Sequence, residues 1–254
     1  MDGAGEDGAD EGTAMGEGDR SDADLVLLGR FELRAGGERV ALPRGSQRLL
    51  AFLAIRDGAA VDRHATAEQL WPESRPQRAA ANLRQALWQV RRATDRPVVE
   101  TPVDRLHLAA ALPVDFCRTL EAAHRVVGPT GRPESGAGLV GELAQDLLPD
   151  WAEDWLVPER QRWEQVRLHA LEAIARHLIS AGAHLAALEA AFTAITIDPV
   201  RESAHRTVIA AHLAQGNGGS ALRHYQHYRA LLHRELGVLP SQHMTRLVAS
   251  QPTL

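Results

Sequence analysis

Residues 76–93 read PQRAAANLRQALWQVRRA, and this stretch decides the fold. Leu83, Ala86, Leu87 and Val90 recur at i, i+3, i+4 and i+7, the spacing of one buried stripe on a helix. At about 100° per residue, the opposite arc carries Arg78, Gln85, Trp88, Gln89 and Arg92, flanked by Asn82 and Arg84. No acid occurs between Gln77 and Ala93. A solvated helix ordinarily mixes Glu with Arg to form i,i+4 pairs, and this one does not. Arginine neutralises phosphates or forks onto guanine edges, and Gln and Asn pair with adenine. The arc therefore suits the major groove of DNA; the plainer alternative is an amphipathic helix whose arginines keep it soluble. Trp88, near the polar arc, is expected to pack against a neighbouring element.

Working outward, Asp62 is a good N-cap for a helix that ends at Leu70-Trp71, because Pro72 cannot continue it; Trp71 then closes the core. Ser46 is read as the cap of an earlier helix running through Arg56, with Leu49, Leu50 and Leu53 at helical spacing. Before it, residues 25–28, 31–33 and 40–42 are short β-type runs, the last two separated by the turn signal Arg34-Ala35-Gly36-Gly37-Glu38. After the arginine helix, residues 97–100 and 106–108 form a hairpin. Sheet, three helices and hairpin make a winged helix-turn-helix, with the hairpin as wing. It is expected to span residues 24–110.

Residues 111–254 read as all-α. Pro113-Val114-Asp115 opens a helix, a Gly/Pro loop runs from Gly128 to Gly138, and a long helix runs from about Pro158 to Ala181. Gly182 and Gly216, Ala187 and Ala221, and Leu188 and Leu222 are each 34 residues apart, the period of tetratricopeptide (TPR) repeats. Each glycine should end its helix, and the units should stack into a short solenoid whose concave side binds peptides or partner helices. The fold class is an α+β winged helix-turn-helix N-terminal domain followed by an all-α TPR-like helical domain.

Composition narrows function. The 254 residues carry a net charge of −5, unevenly spread: residues 25–110 hold fourteen Arg against nine acids, while residues 1–24 hold nine acids and Arg20 alone. A basic block suggests an anionic partner. Residues 1–23, mostly Gly, Ala, Asp and Glu, should be a disordered acidic leader. Such a leader is most simply solubilising; the alternative is that it shields a basic surface or mimics nucleic acid. All 28 basic residues are arginine, which excludes a Walker A loop and Schiff-base chemistry. Cys117 alone cannot form an intramolecular disulfide, which suits a cytoplasmic protein, and no apolar run is long enough for a membrane span. His224 and His227 at i,i+3, and His169, His177 and His184 on neighbouring helices, lack the partners of a metal site. Pro149 separates Asp146 from Asp150 and Asp154. No nucleophile elbow, Gly-rich dinucleotide loop or zinc-protease motif occurs. The expectation is no enzyme, with no catalytic residue, metal or cofactor.

Several motifs in fixed order resemble the Streptomyces antibiotic regulatory protein (SARP) family. They are Leu27-Leu28-Gly29, Arg48-Leu49-Leu50-Ala51-Phe52-Leu53, Leu70-Trp71-Pro72-Glu73 and Asn82-Leu83-Arg84-Gln85-Ala86-Leu87-Trp88 in the first half. In the second they are Val114-Asp115, Asp198-Pro199-Val200-Arg201-Glu202-Ser203-Ala204-His205, Ala221-Leu222-Arg223-His224-Tyr225 and Glu235-Leu236-Gly237-Val238-Leu239-Pro240-Ser241. The likeness covers residues 25–249. It implies an OmpR-type winged helix, a bacterial transcriptional activator domain over 111–254, binding to repeated promoter sites and recruitment of RNA polymerase. Longer relatives add an ATPase module, so the chain reads as a short, stand-alone member. Thr101-Pro102-Val103-Asp104-Arg105-Leu106 departs from the Gly-Tyr that many OmpR-type wings carry.

These readings assign base edges to Gln85, Gln89 and Arg92, and phosphate or backbone contacts to Arg78, Asn82, Arg84, Arg91 and Arg105. The expected partners are double-stranded promoter DNA, RNA polymerase and further copies of the chain on DNA, with no membrane. The rival reading is a TPR-like adaptor whose winged helix no longer binds DNA.

Overall fold

Leu25, Leu33 and Val40 stand side by side across three antiparallel strands, β1 (Ala23–Val26), β2 (Glu32–Ala35) and β3 (Glu38–Val40). The β2–β3 link is two glycines, Gly36 and Gly37, with φ of 58° and 83°. Positive φ at both positions is the type I′ turn, whose twist matches that of the flanking strands, so the Gly-Gly pair fixes the register. These coordinates come from a computed structural model and describe residues 23–56, 58–128 and 136–249. The expected acidic leader lies outside the described residues except for Ala23, which opens β1.

The winged helix follows: α1 (Arg44–Ile55), β4 (Val61–Asp62), α2 (Arg63–Leu70), α3 (Pro76–Ala93), β5 (Val99–Glu100) and β6 (Arg105–Leu108). Asp62 caps α2 as expected, its carboxylate accepting from the Ala65 N–H at 2.8 Å. Ser46 is not a cap. The helix starts two residues earlier because extended Pro43 supplies the carbonyl that the Ser46 and Gln47 N–H groups reach. That places Ser46 inside α1, fully buried. Strand β4, two residues long and without a periodic signal, joins the hairpin in the order β4-β6-β5.

The second half runs α4 (Asp115–Val127), α5 (Gly136–Leu143), a 3-10 turn over Asp154–Leu156, α6 (Val157–Ser180), α7 (His184–Ile197), α8 (Glu202–Ala214), α9 (Gly218–Leu236) and α10 (Gln242–Ala249). The Gly128–Gly138 loop is shorter than the sequence suggests: α5 begins at Gly136, and residues 129–135 lie outside the described residues. Gly182 and Gly216 have φ of 76° and 74°, ending α6 and α8 as the 34-residue period requires.

One continuous buried cluster extends from Leu25 to Val208, so the two halves share a core. Three tryptophans stitch it: Trp151 stacks on Phe31, Trp155 meets Phe52 edge-on, and Trp163 meets Phe116 edge-on. Gly29 lies where the halves touch. Its φ is 78°, a Cβ there would sit 2.9 Å from Gln145 Oε1, and its N–H donates to Asp146 O at 2.7 Å. Only glycine accepts that conformation without strain.

A smaller cluster holds the C-terminal helices, built on Ile209, Tyr228, Leu232 and Met244. Here the motif stretches of the second half meet one another. Glu202 accepts from the Ser241 N–H at 2.8 Å and from its hydroxyl. His205, 2% exposed, stacks on Tyr228 with centroids 4.1 Å apart. Its Nε2 lies 2.9 Å from Pro199 O and its Nδ1 3.0 Å from His224 Nε2. A carbonyl only accepts, so Nε2 of His205 carries its proton and Nδ1 accepts from His224. Both imidazoles are held neutral. Burial lowers the His205 pKa, and burial together with the neighbouring histidines lowers that of His224 to about 4.

The unfolded histidines titrate near their ordinary value, so below it the unfolded chain binds protons that the folded chain refuses. Stability from this pair is complete above about pH 6.5 and is lost as pH falls towards 4. Thermal unfolding should show that acid slope, and His224→Gln, whose amide can still donate to His205, should flatten it. An unchanged slope would assign the acid sensitivity elsewhere.

Candidate nucleic-acid interface

The 18 residues of α3 begin with Pro76 at the first helical position, where its missing N–H is no loss and its φ is preset. Ala79, Leu83, Ala86 and Val90 are buried, and the helix packs on α1, α2 and β5. Leu87 is half-buried at the stripe's edge. The turn from Trp71 to Arg75 sets α2 against α3, with the Ser74 N–H donating to Trp71 O at 3.0 Å.

The outward arc stays outward. Arg78, Arg84, Gln85, Arg91 and Arg92 are exposed, and Asn82 is half-buried. Among the described residues, no carboxylate makes an ion pair with Arg78, Arg84, Arg91 or Arg92. Arg91 and Arg92 occupy the last turn, where the helix dipole favours cations. Two residues differ from expectation. Trp88 is not packed away: it is 52% exposed, with the Arg92 guanidinium 4.8 Å from its ring centroid. Gln89, expected on the exposed arc, lies at its margin, half-buried against α1. There the Ser46 hydroxyl lies 2.8 Å from Gln89 Oε1 and 3.2 Å from Ala86 O, sharing its one proton between them.

The wing presents different chemistry. Val103, at its tip, is 92% exposed and has φ of 52°. The Arg105 N–H closes the turn onto Pro102 O at 3.0 Å, while its exposed guanidinium reaches back to donate to Ala60 O. Of the expected phosphate set, Arg105 is thus tied to the protein.

Sequence reasoning missed Arg63. It opens α2, and with Trp88 and Arg91 it lines a cleft of about 510 Å³ between α3 and the hairpin. A second hollow sets it beside Arg84. The available signal was a cation at a helix N-terminus, the end the dipole disfavours. In these two hollows Arg63, Arg84 and Arg91 stand together, with Asp62, Glu100 and Asp104 also on the walls.

Residues 139–250 match the model of the bacterial transcriptional activator domain. Helices α6 to α10, the stacked helices described above, lie within the matched stretch. A solved structure of Mycobacterium tuberculosis EmbR in complex with a low-affinity phosphopeptide is similar, with a TM-score of 0.71 and 20% identity. The alignment covers 92% of this chain and 66% of that one, so the chain spans just under two thirds of its length. At that identity the likeness is one of fold, reaching across both the winged helix and the helical half. No curated protein sequence matches. Among the described residues no helix is long and apolar enough to cross a membrane.

Proposed function

We propose that the chain is a sequence-specific DNA-binding transcriptional activator of a biosynthetic or pathway gene cluster. In this reading it works in the cytoplasm, binds promoter repeats side by side with further copies, and contacts RNA polymerase through the activator domain. One observation carries it: the second helix of a helix-turn-helix turns to solvent an acid-free face whose arginines make no ion pair among the described residues. Gln85, Arg92 and, from the margin, Gln89 read base edges. Arg78, Asn82, Arg84, Arg91 and Arg105 hold the backbone.

The test is graded. On upstream DNA of the protein's own gene, Gln85→Ala should cost about 1–3 kcal/mol and relax sequence preference. Arg84→Ala should weaken specific and scrambled duplexes alike and reduce the salt slope by about 0.9. Equal, sequence-independent losses from both would remove the base-reading assignment. The wing favours a second reading, a protein-binding adaptor, because its tip is an exposed valine and its arginine, though exposed, is tied to the Ala60 carbonyl. Absence of any shifted band at low salt, with and without residues 1–23, would favour that reading instead.

A further inference from the structure

We infer that the acidic segment 1–22 docks in cis on the α3 face and competes with nucleic acid for it. The competition rests on the DNA reading above; the docking does not.

Three observations converge. Residues 1–22 hold eight acids and one arginine, whereas α3 holds four arginines and no acid. None of those four arginines has an ion-pair partner among the described residues. The segment also leaves the fold at the right place. Ala23 lines a hollow of about 220 Å³ together with Thr94, Asp95 and Arg96, the residues that immediately follow α3. The length fits as well. A Gly-rich chain of 22 residues has a root-mean-square reach of about 26 Å, and 18 helical residues are about 27 Å long. A segment anchored beside one end of α3 can therefore follow it to the other. Anchoring gives an effective concentration on the order of millimolar, so contacts too weak to hold a free peptide suffice. The attraction is between exposed charges and fades with salt.

The test places a nitroxide at Met15→Cys in a Cys117→Ser chain and records amide line broadening in the isotope-labelled full-length protein. Broadening over residues 78–92 at about 50 mM salt, lost above about 0.5 M, is expected. The full chain with all eight acids changed to Asn or Gln should then bind an arbitrary 30-base-pair duplex about tenfold tighter at low salt, the gap closing as salt rises. Broadening elsewhere, or none, overturns the docking even if DNA binds normally. Broadening only when spin-labelled and isotope-labelled chains are mixed assigns the contact to a second copy and overturns docking in cis. Broadening on α3 with unchanged DNA affinity overturns the competition. Broadening on α3 when neither chain binds DNA leaves the docking standing and removes the DNA reading.

Discussion

Changing Arg78, Arg84 and Arg91 together to Gln is expected to weaken DNA binding about 500-fold at 0.1 M salt and to leave the fold intact. Each arginine that neutralises a phosphate releases counterions and contributes about 0.9 to the salt slope. Three such contacts therefore contribute about 2.7 to it. Taking their contribution as negligible near 1 M, a tenfold dilution of salt amplifies it to about 500-fold. Folding has little to lose. The three side chains are exposed and make no ion pair among the described residues, and Gln has nearly the helix propensity of Arg. Salt titration of binding against thermal unfolding separates the two effects. A loss under about fivefold with an unchanged salt slope would take the DNA backbone away from this face.

The α3 helix could be read in advance because everything that defines it is local. Its stripe repeats within eighteen residues, Pro76 marks its start, and the missing acids need only counting. The 34-residue spacing was likewise legible, since each repeat carries its own helix-ending glycine. What escaped depends on partners far away in the chain. Ser46 looks like a cap because serine before an apolar run usually is one; its actual partners lie 40 and 43 residues on. Trp88 is expected to pack because a large aromatic generally does, yet it stands at the rim of the cleft between α3 and the hairpin and stays 52% exposed. Arg63 belongs to the interface only because α2 begins beside α3, a fact of tertiary geometry. The shared core was equally hidden: the sequence offers a domain boundary near residue 110, and nothing local says that Phe31 and Phe52 will meet tryptophans a hundred residues later.

Asp115→Ala is expected to destabilise the chain by about 4 kcal/mol, since each buried donor left without a partner costs roughly 1–3 kcal/mol and such losses are not fully additive. The Asp115 carboxylate accepts three backbone N–H groups, from Leu27 at 2.7 Å, Leu28 at 3.1 Å and Phe116 at 2.6 Å. Leu27 and Leu28 are buried, so water does not readily replace it. The same segment is gripped from both sides. The Leu25 N–H donates to Pro113 O at 2.9 Å, and the Leu148 N–H donates to Leu27 O at 3.0 Å. Losing the carboxylate therefore loosens the segment after β1 that joins the winged helix to the helical half. Asp115→Asn should be milder, because its carbonyl still accepts while its NH2 opposes one donor.

Burial raises the Asp115 pKa, and outweighs the three N–H donors and Arg118 that lower it. The folded chain then holds a proton that the unfolded chain has released, so this group's contribution is complete below its unfolded pKa and declines as pH rises through the folded value. The stability gap between the wild type and Asp115→Asn should narrow over that window. Urea unfolding followed by tryptophan fluorescence measures both effects. An Asp115→Ala chain within about 1 kcal/mol of the parent would mean that the shared core and the backbone hydrogen bonds hold the halves together without this carboxylate.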